Sequence, residues 1–101
     1  MNSKYYIIPG NAGEFVDYRK ELCHRLHTQG TEVSYSHFVY VSSPENLRGI
    51  RNPKGWFVGT YHTRKDLEEL VQMLYIIKTG EEKTPDFIKL CKKVTPYYFN
   101  P

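Results

Sequence analysis

The sequence predicts an α+β fold: a single small domain with elements in the order β-α-β-β-α-α and a three-stranded mixed sheet packed by helices. Two patterns lead to this prediction. Short runs of β-branched and aromatic residues indicate strands, and longer segments with apolar residues at helical spacing indicate helices. The 101 residues are enough for one modest core, so we expect one domain over residues 1–101.

The first strand and helix follow each other closely. Residues 4–8, KYYII, form the predicted strand, which Pro9 and Gly10 end. A helix is predicted over residues 14–29, because four apolar side chains fall on one face: Phe15, Tyr18, Leu22 and Leu26. Gly30 suits the position just after the helix, where a left-handed backbone is common.

The next two strands enclose a long connection. Residues 32–41 alternate in polarity and predict the longest, central strand, and residues 56–61 predict the third, with Gly59 marking a bulge or close approach. The helix between the first two strands predicts a parallel pair. The second and third are predicted to pair antiparallel, although a hairpin loop usually has about two to five residues and this connection is much longer.

Two helices are predicted in the C-terminal part. Thr63 and Asp66 form a capping box before an apolar stripe that comprises Leu67, Leu70, Val71, Leu74 and Ile77, and Gly80 ends this helix. Thr84 and Pro85 begin the second helix, with Pro85 at the first helical position. The tail YYFNP is too aromatic for a free end, so we expect it to dock on the domain or on a partner.

Composition restricts the class of protein. The net charge of +3 favours an anionic partner but is too small to indicate nucleic-acid binding alone. No leader and no apolar run long enough to cross a bilayer is recognisable, which favours a cytoplasmic protein without membrane contact. Cys23 and Cys91 are then predicted to be reduced core residues, and a disulfide between them is the less favoured alternative.

The connection 42–56 supplies the first candidate site. Arg48, Arg51 and Lys54 cluster there with Asn52, and Trp56 follows. Two guanidinium groups and an ammonium beside an aromatic ring predict a site for a phosphate or a nucleobase. The alternative is a solvated loop whose arginines pair with local acids such as Glu45. A Ser43-Pro44 start predicts one or two helical turns within it, ending near Gly49.

The turn after the first strand supplies the second candidate. Gly10, Asn11 and Gly13 lie between a strand and a helix, where free amide groups attract anions. The turn lacks the third glycine of the dinucleotide fingerprint and the Gly-Lys-Ser/Thr of the P-loop, and Glu14 brings a negative charge to the same place. The favoured alternative is an ordinary turn with Asn11 or Gly13 near the helix cap.

Metal binding and catalysis have little support in the sequence. Cys23 and His27 are four residues apart, but a structural zinc site needs four ligands, so we predict no metal and no cofactor. His37 and His62 have hydroxyl neighbours without any nucleophile elbow or catalytic Cys-His signature. We therefore predict no catalytic residues and no enzyme, with a small hydrolase or nuclease as the alternative.

The expected function is that of a non-enzymatic binding protein whose connection 42–56 contacts an anionic partner, either a nucleotide-like ligand or nucleic acid. The alternative is a protein–protein inhibitor or adaptor that uses exposed aromatic residues and the C-terminal tail. The chain is similar in general character to small accessory proteins of large bacteriophages, which are short, tyrosine-rich and without motifs. That resemblance implies a cytoplasmic protein that binds, sequesters or blocks a component of the host, for example as a counter-defence protein, and a homo-oligomer is compatible with it.

Overall fold

A computed structural model describes residues 4–75 and 85–99. The sheet in this part consists of β1 (Tyr5–Ile8), β2 (Phe38–Tyr40) and β3 (Gly55–Phe57). Its α-helices are α1 (Ala12–Thr28), α2 (Leu67–Met73) and α3 (Asp86–Val94). Short 3-10 turns occur at Tyr35–His37, Pro44–Leu47, Tyr61–Thr63 and Pro96–Tyr98. Three helices and a three-stranded sheet in one small domain agree with the predicted α+β class.

The arrangement of the strands differs from the predicted mixed sheet. β1 is the central strand, and it pairs in parallel with β2 on one side and with β3 on the other. β2 and β3 therefore do not form the predicted antiparallel pair. The reason is the connection between them, because parallel strands require a long crossover and an antiparallel pair does not. The length of residues 42–54 is thus explained by the topology.

The sheet has a core on each face, because alternate residues of a strand point to opposite sides. Ile7 belongs to the larger core, which α1 and α3 cover, and Ile8 belongs to the smaller one, which α2 and the β2–β3 connection cover. The buried members of the larger core are Ile7, Phe15, Tyr18, Leu22, Cys23, Leu26, Phe38, Trp56, Val58, Ile88 and Cys91. Those of the smaller core are Ile8, Val41, Leu47, Leu70 and Leu74.

β2 is much shorter than the predicted strand over residues 32–41. The 3-10 turn Tyr35–His37 replaces its first half. The Ser34 amide donates to Nδ1 of His37 over 2.9 Å, and the hydroxyl groups of Ser34 and Ser36 lie 2.8 Å apart. Such local bonds satisfy backbone groups that a strand would otherwise use, so the alternating pattern is overridden here.

The helix α1 begins two residues before the predicted start, and Asn11 and Gly30 lie at its ends as the sequence indicates. The Glu14 amide donates to Oδ1 of Asn11 over 2.9 Å, which makes Asn11 the N-cap. Gly30 has a φ of 82°, and the amides of Gly30 and Thr31 donate to the carbonyl groups of His27 and Leu26. This is the Schellman arrangement that satisfies the last carbonyl groups of a helix.

The start of α2 corrects the predicted capping box. The Thr63 hydroxyl donates to the carbonyl oxygen of Thr60 over 2.8 Å, and Asp66 is the N-cap without a side-chain capping bond. Asp66 does not cap because Arg64 binds its carboxylate. In α3, Pro85 is the N-cap rather than the first helical residue. Ile77, Gly80 and Thr84 lie outside the described residues.

The described part of the C-terminal tail packs on the domain, which is one of the two predicted alternatives. The Tyr98 ring packs edge-on against Tyr18 at 4.7 Å, and its carbonyl oxygen accepts a hydrogen bond from the amide of Gly59 over 3.0 Å. Gly59 lies beyond the end of β3 with a φ of 61°, so it allows the sharp turn rather than a bulge within the strand.

Candidate functional site: the β2–β3 connection

The β2–β3 connection is ordered by its own hydrogen bonds. Oδ1 of Asn46 accepts bonds from the amide of Ser42 over 2.8 Å and from the amide of Ser43 over 3.1 Å. These bonds hold the 3-10 turn Pro44–Leu47, where a short helical segment was predicted, and Leu47 anchors it in the smaller core. The backbone then turns sharply at Gly49 and Asn52, whose φ values are 80° and 52°. The connection therefore presents its cations from a defined backbone.

Arg48 is already paired with two carboxylates. Its Nη2 atom lies 3.0 Å from Oε2 of Glu69, and its Nε atom lies 3.3 Å from Oε1 of Glu45. The hydrogen bond to Glu69, together with the charges of both carboxylates, raises the pKa of Arg48 above its ordinary value. The predicted alternative, pairing with local acids such as Glu45, therefore describes this residue.

Arg51 and Lys54 differ from Arg48 in their ion pairing. Both side chains are exposed, and neither has an ion-pair partner within residues 4–75 and 85–99. A pocket of about 310 Å³ lies in the same connection; Arg48 and Asn52 line it together with apolar side chains, whereas Arg51 and Lys54 are not part of its lining. Its full lining comprises Leu47, Arg48, Gly49, Ile50, Asn52, Pro53, Met73 and Tyr75.

Trp56 corrects the predicted site. The residue is 3% exposed, and its indole Nε1 donates to Oη of Tyr18 over 2.9 Å. Tyr18 in turn lies 3.1 Å from the hydroxyl of buried Thr95. Burial raises the pKa of Tyr18, so its hydroxyl stays neutral inside this network. The indole ring is part of the larger core and is not available for stacking on a ligand.

The glycine turn after β1 is filled by the side chain of Glu14. Its carboxylate accepts hydrogen bonds from the Gly10 amide at 2.8 Å, the Thr60 amide at 3.1 Å and the Thr60 hydroxyl at 2.7 Å. A side chain at Gly10 would clash with Thr60, and one at Gly59 would clash with the Glu14 carboxylate. Of the three predicted residues here, Gly10 thus donates to Glu14, Asn11 caps α1 and Gly13 is exposed beside Asn11.

The hydrogen bonds to Glu14 outweigh its partial burial. Desolvation acts to raise the pKa of this carboxyl, but the Thr60 hydroxyl and the amides of Gly10 and Thr60 favour the charged form more strongly. The pKa of Glu14 therefore lies below its ordinary value in the folded state.

We expect Glu14→Gln to reduce the loss of stability in acid. Because the folded-state pKa is lowered, the contribution of Glu14 is complete above the unfolded-state pKa and is lost as the pH falls through the folded-state value. Urea midpoints at pH 7, 5 and 3 should therefore decline less in this variant than in the parent. Glu68→Gln is the control, since Glu68 is exposed on α2. Equal declines in the parent and Glu14→Gln would contradict the assignment.

Arg64 is a structurally important residue that the sequence did not reveal. Its side chain is 7% exposed, and all five of its N–H groups donate. Nε and Nη2 bind the Asp66 carboxylate at 2.9 and 3.0 Å. Nη1 binds the carbonyl oxygens of Pro9 and Val41 at 2.9 and 2.8 Å, and Nη2 also binds that of Ser42 at 2.9 Å. Arg64 thus joins the segments that follow β1 and β2 to the start of α2.

The histidines and cysteines singled out in the sequence lie in different surroundings. Nδ1 of His37 accepts a hydrogen bond from the Ser34 amide, and His62 is exposed. Cys23 and Cys91 are free and buried, and burial raises the pKa of both thiols, that of Cys91 to about 12. In residues 4–75 and 85–99, no three His, Cys, Asp or Glu side chains come together as a metal-binding group. No helix in these ranges has the length and apolar character needed to span a bilayer.

Comparison with known proteins yields no relative of this chain. No family model matches the sequence, and neither a curated protein nor a solved structure is similar to it.

Proposed function

We propose that this chain is a non-enzymatic binding protein whose β2–β3 connection contacts an anionic, phosphate-bearing partner, such as a nucleotide or a nucleic acid. The proposal rests on the exposure and the ion pairing of Arg51 and Lys54. Both are exposed and without a carboxylate partner in the described ranges, while neighbouring Arg48 has two. The charge that this surface offers to a partner thus comes from Arg51 and Lys54.

The two cations have complementary abilities. A guanidinium group can donate two parallel hydrogen bonds to one phosphate, and an ammonium group acts as a compact positive charge. The adjoining pocket adds the Asn52 amide and an apolar wall that includes Ile50 and Met73. Asn52 and Pro53, which lie between the two cations in the chain, line this pocket, so a base or sugar attached to a phosphate on Arg51 and Lys54 would enter it past these two residues. The length of the connection does not count as support, because the crossover explains it.

We expect Arg51→Ala and Lys54→Ala each to weaken binding by about 1.5–3 kcal/mol, the usual scale of hydrogen bonds to charged groups. Melting temperatures should stay close to that of the parent, because exposed charges contribute little to stability. The probes are a fluorescein-labelled single-stranded oligonucleotide of mixed sequence and, separately, a nucleoside triphosphate. Arg51→Lys should recover only part of the lost affinity if the guanidinium binds a phosphate through two hydrogen bonds.

Lys20→Ala is the matched control, since Lys20 is an exposed cation on α1, across the sheet from the connection. It should leave the affinity for either probe unchanged. Affinity for the oligonucleotide should fall steeply with salt, and each variant should reduce the salt dependence. Failure of the parent to bind either probe, or full binding by Arg51→Ala, would reject the proposal.

A second candidate, a protein–protein inhibitor or adaptor, is supported by an aromatic surface near the C-terminus. Tyr97 is 48% exposed, and the Arg25 guanidinium lies 5.2 Å from its ring centroid. A groove of about 670 Å³ between α1 and α3 adjoins them, with Leu90, Lys93 and Pro96 in its lining. An aromatic contact of this kind would be far less sensitive to salt than phosphate binding.

A further inference from the structure

The Arg19 side chain on α1 is held against two aromatic rings. Its guanidinium carbon lies 4.7 Å from the ring centroid of Phe15 and 4.8 Å from that of Tyr35. Phe15 is buried and packs against Tyr40, so the first ring is fixed by the larger core. Both distances are within the range of favourable cation–π contacts. The orientation of the guanidinium is therefore set by the fold before any partner binds.

One buried N–H group of Arg19 has no hydrogen-bond acceptor in the described residues. Its Nε is the only buried side-chain nitrogen or oxygen without a hydrogen-bond partner in residues 4–75 and 85–99. Arg19 has no carboxylate partner in these ranges either. Arg19 as a whole is partly exposed, and neither of its Nη atoms is both buried and unpartnered. An unsatisfied buried donor costs stability, so a native structure that retains one calls for an explanation.

Exposed apolar side chains surround this cation. Val16, one turn earlier on α1, is 55% exposed, and Tyr35 is 48% exposed. Together with Tyr97 they are the large hydrophobic residues with the greatest exposure in the described part of the chain. The surface formed by Val16, Arg19 and Tyr35, called here the Arg19 surface, thus combines an unpaired cation with apolar area.

We propose that the Arg19 surface is a docking site for an acidic segment of a partner protein, in which the Nη groups of Arg19 bind an aspartate or glutamate. Val16 and Tyr35 would pack against aliphatic side chains beside that carboxylate. Tyr and Arg are the residues most enriched at the centres of protein interfaces. A guanidinium held in place by rings also loses little conformational freedom on binding.

The surroundings favour a protein over a nucleic acid at this position. Tyr35 is an exposed ring on which a base could stack, but Arg19 is the one cation of this surface and exposed Asp17 lies on the same helix, so the surface can neutralise one carboxylate and not a run of phosphates. A single acidic side chain with apolar neighbours fits both features. This proposal does not rest on the function proposed for the β2–β3 connection, which packs on the opposite face of the sheet.

The first test is selection from a phage-displayed library of random twelve-residue peptides on the immobilised protein. We expect the parent to enrich peptides with Asp or Glu next to an aliphatic residue, and Arg19→Met not to enrich them. Enrichment of the same peptides by both proteins would reject the proposal. Enrichment of peptides without acidic residues, or no enrichment at all, would reject it equally.

The second test separates binding from structure with one synthetic peptide from the selection. Arg19→Met keeps the aliphatic stem; it removes the unsatisfied Nε but also two cation–π contacts, and because these effects oppose each other its melting temperature should stay close to that of the parent. Its affinity for the peptide should fall about tenfold or more. Tyr35→Ser changes an exposed ring and should also weaken binding without unfolding the protein. Lys20→Met and Arg51→Ala are controls that should bind the peptide like the parent.

A lower melting temperature for Arg19→Met with unchanged peptide affinity would overturn the proposal and make Arg19 a structural residue. Unchanged affinity in Tyr35→Ser would reject the described surface in the same way. Loss of oligonucleotide or nucleotide binding in Arg51→Ala concerns only the β2–β3 connection, so the two proposals can fail separately.

Discussion

Replacing Arg64 by methionine is expected to lower the free energy of unfolding by about 3–5 kcal/mol, the scale on which breaking a buried ion pair destabilises a protein. The Arg64 guanidinium donates hydrogen bonds to the Asp66 carboxylate. It also donates to the backbone carbonyl groups of Pro9, Val41 and Ser42. Methionine fills a similar volume but donates nothing. The Asp66 carboxylate, whose pKa is held below its ordinary value by the hydrogen bond from Arg64, would lose its partner.

Urea unfolding followed by circular dichroism at pH 7 measures this effect, with Arg51→Met as the matched control. Arg51 is exposed and has no ion pair within the described residues, so its replacement should change stability by less than about 0.5 kcal/mol. Arg64→Lys should recover only part of the loss, because one ammonium group cannot reach four separate acceptor groups. Equal midpoints for Arg64→Met and Arg51→Met would show that the buried guanidinium contributes nothing.

Leu70→Ala and Leu74→Ala are expected to lower the free energy of unfolding by about 2–5 kcal/mol each, the range measured for buried leucines. Both side chains are fully buried in the smaller core, where Ile8, Val41 and Leu47 meet them. A small core can shift little to fill the space that each alanine leaves. We therefore expect a larger loss of unfolding free energy than for the replacement of an exposed leucine.

Thermal and urea unfolding of both variants would measure the loss, and Gln72→Ala on the exposed side of α2 is the control. The control should stay within about 0.5 kcal/mol of the parent. If Leu70→Ala and Leu74→Ala both unfold at the parent's midpoint, α2 does not pack on the sheet through these residues.

The parts of the fold that depend on neighbouring residues could be predicted from the sequence. The spacing of Phe15, Tyr18, Leu22 and Leu26 defines the buried side of α1, and Gly30 ends this helix with the predicted left-handed backbone. Both signals lie within a few residues of the structure that they determine. The burial of Leu70 and Leu74 follows in the same way from the period of α2.

The strand pairing could not be predicted, because it depends on residues far apart in the chain. Nothing near β3 indicates that it pairs with β1 rather than with β2. The length of residues 42–54 is the one signal for a crossover, but it is equally compatible with a binding loop on a hairpin. In β2, the bonds among Ser34, Ser36 and His37 override the alternation that predicted a longer strand.

The candidate site was predicted in part. Arg51 and Lys54 are exposed as expected, but Trp56 follows the period of β3 together with Val58 and points into the larger core. The role of Arg64 could not be predicted, because most of its partners are backbone carbonyl groups, which leave no pattern in a sequence. The Phe15–Arg19 pair has the i,i+4 spacing of a helix contact, whereas the third member, Tyr35, comes from another segment.

The central position of β1 has a consequence for how this protein reaches its native state. Tyr5 pairs with Phe38 and Tyr6 pairs with Gly55, so no strand can find its neighbour until a long segment has been closed into a loop. Contacts of such high sequence separation slow folding, because loop entropy is lost before pairing rewards it. During synthesis the run KYYII emerges before either of its partner strands, and both of its edges stay unpaired until they follow. We therefore expect this segment to be the principal origin of aggregation when folding is delayed.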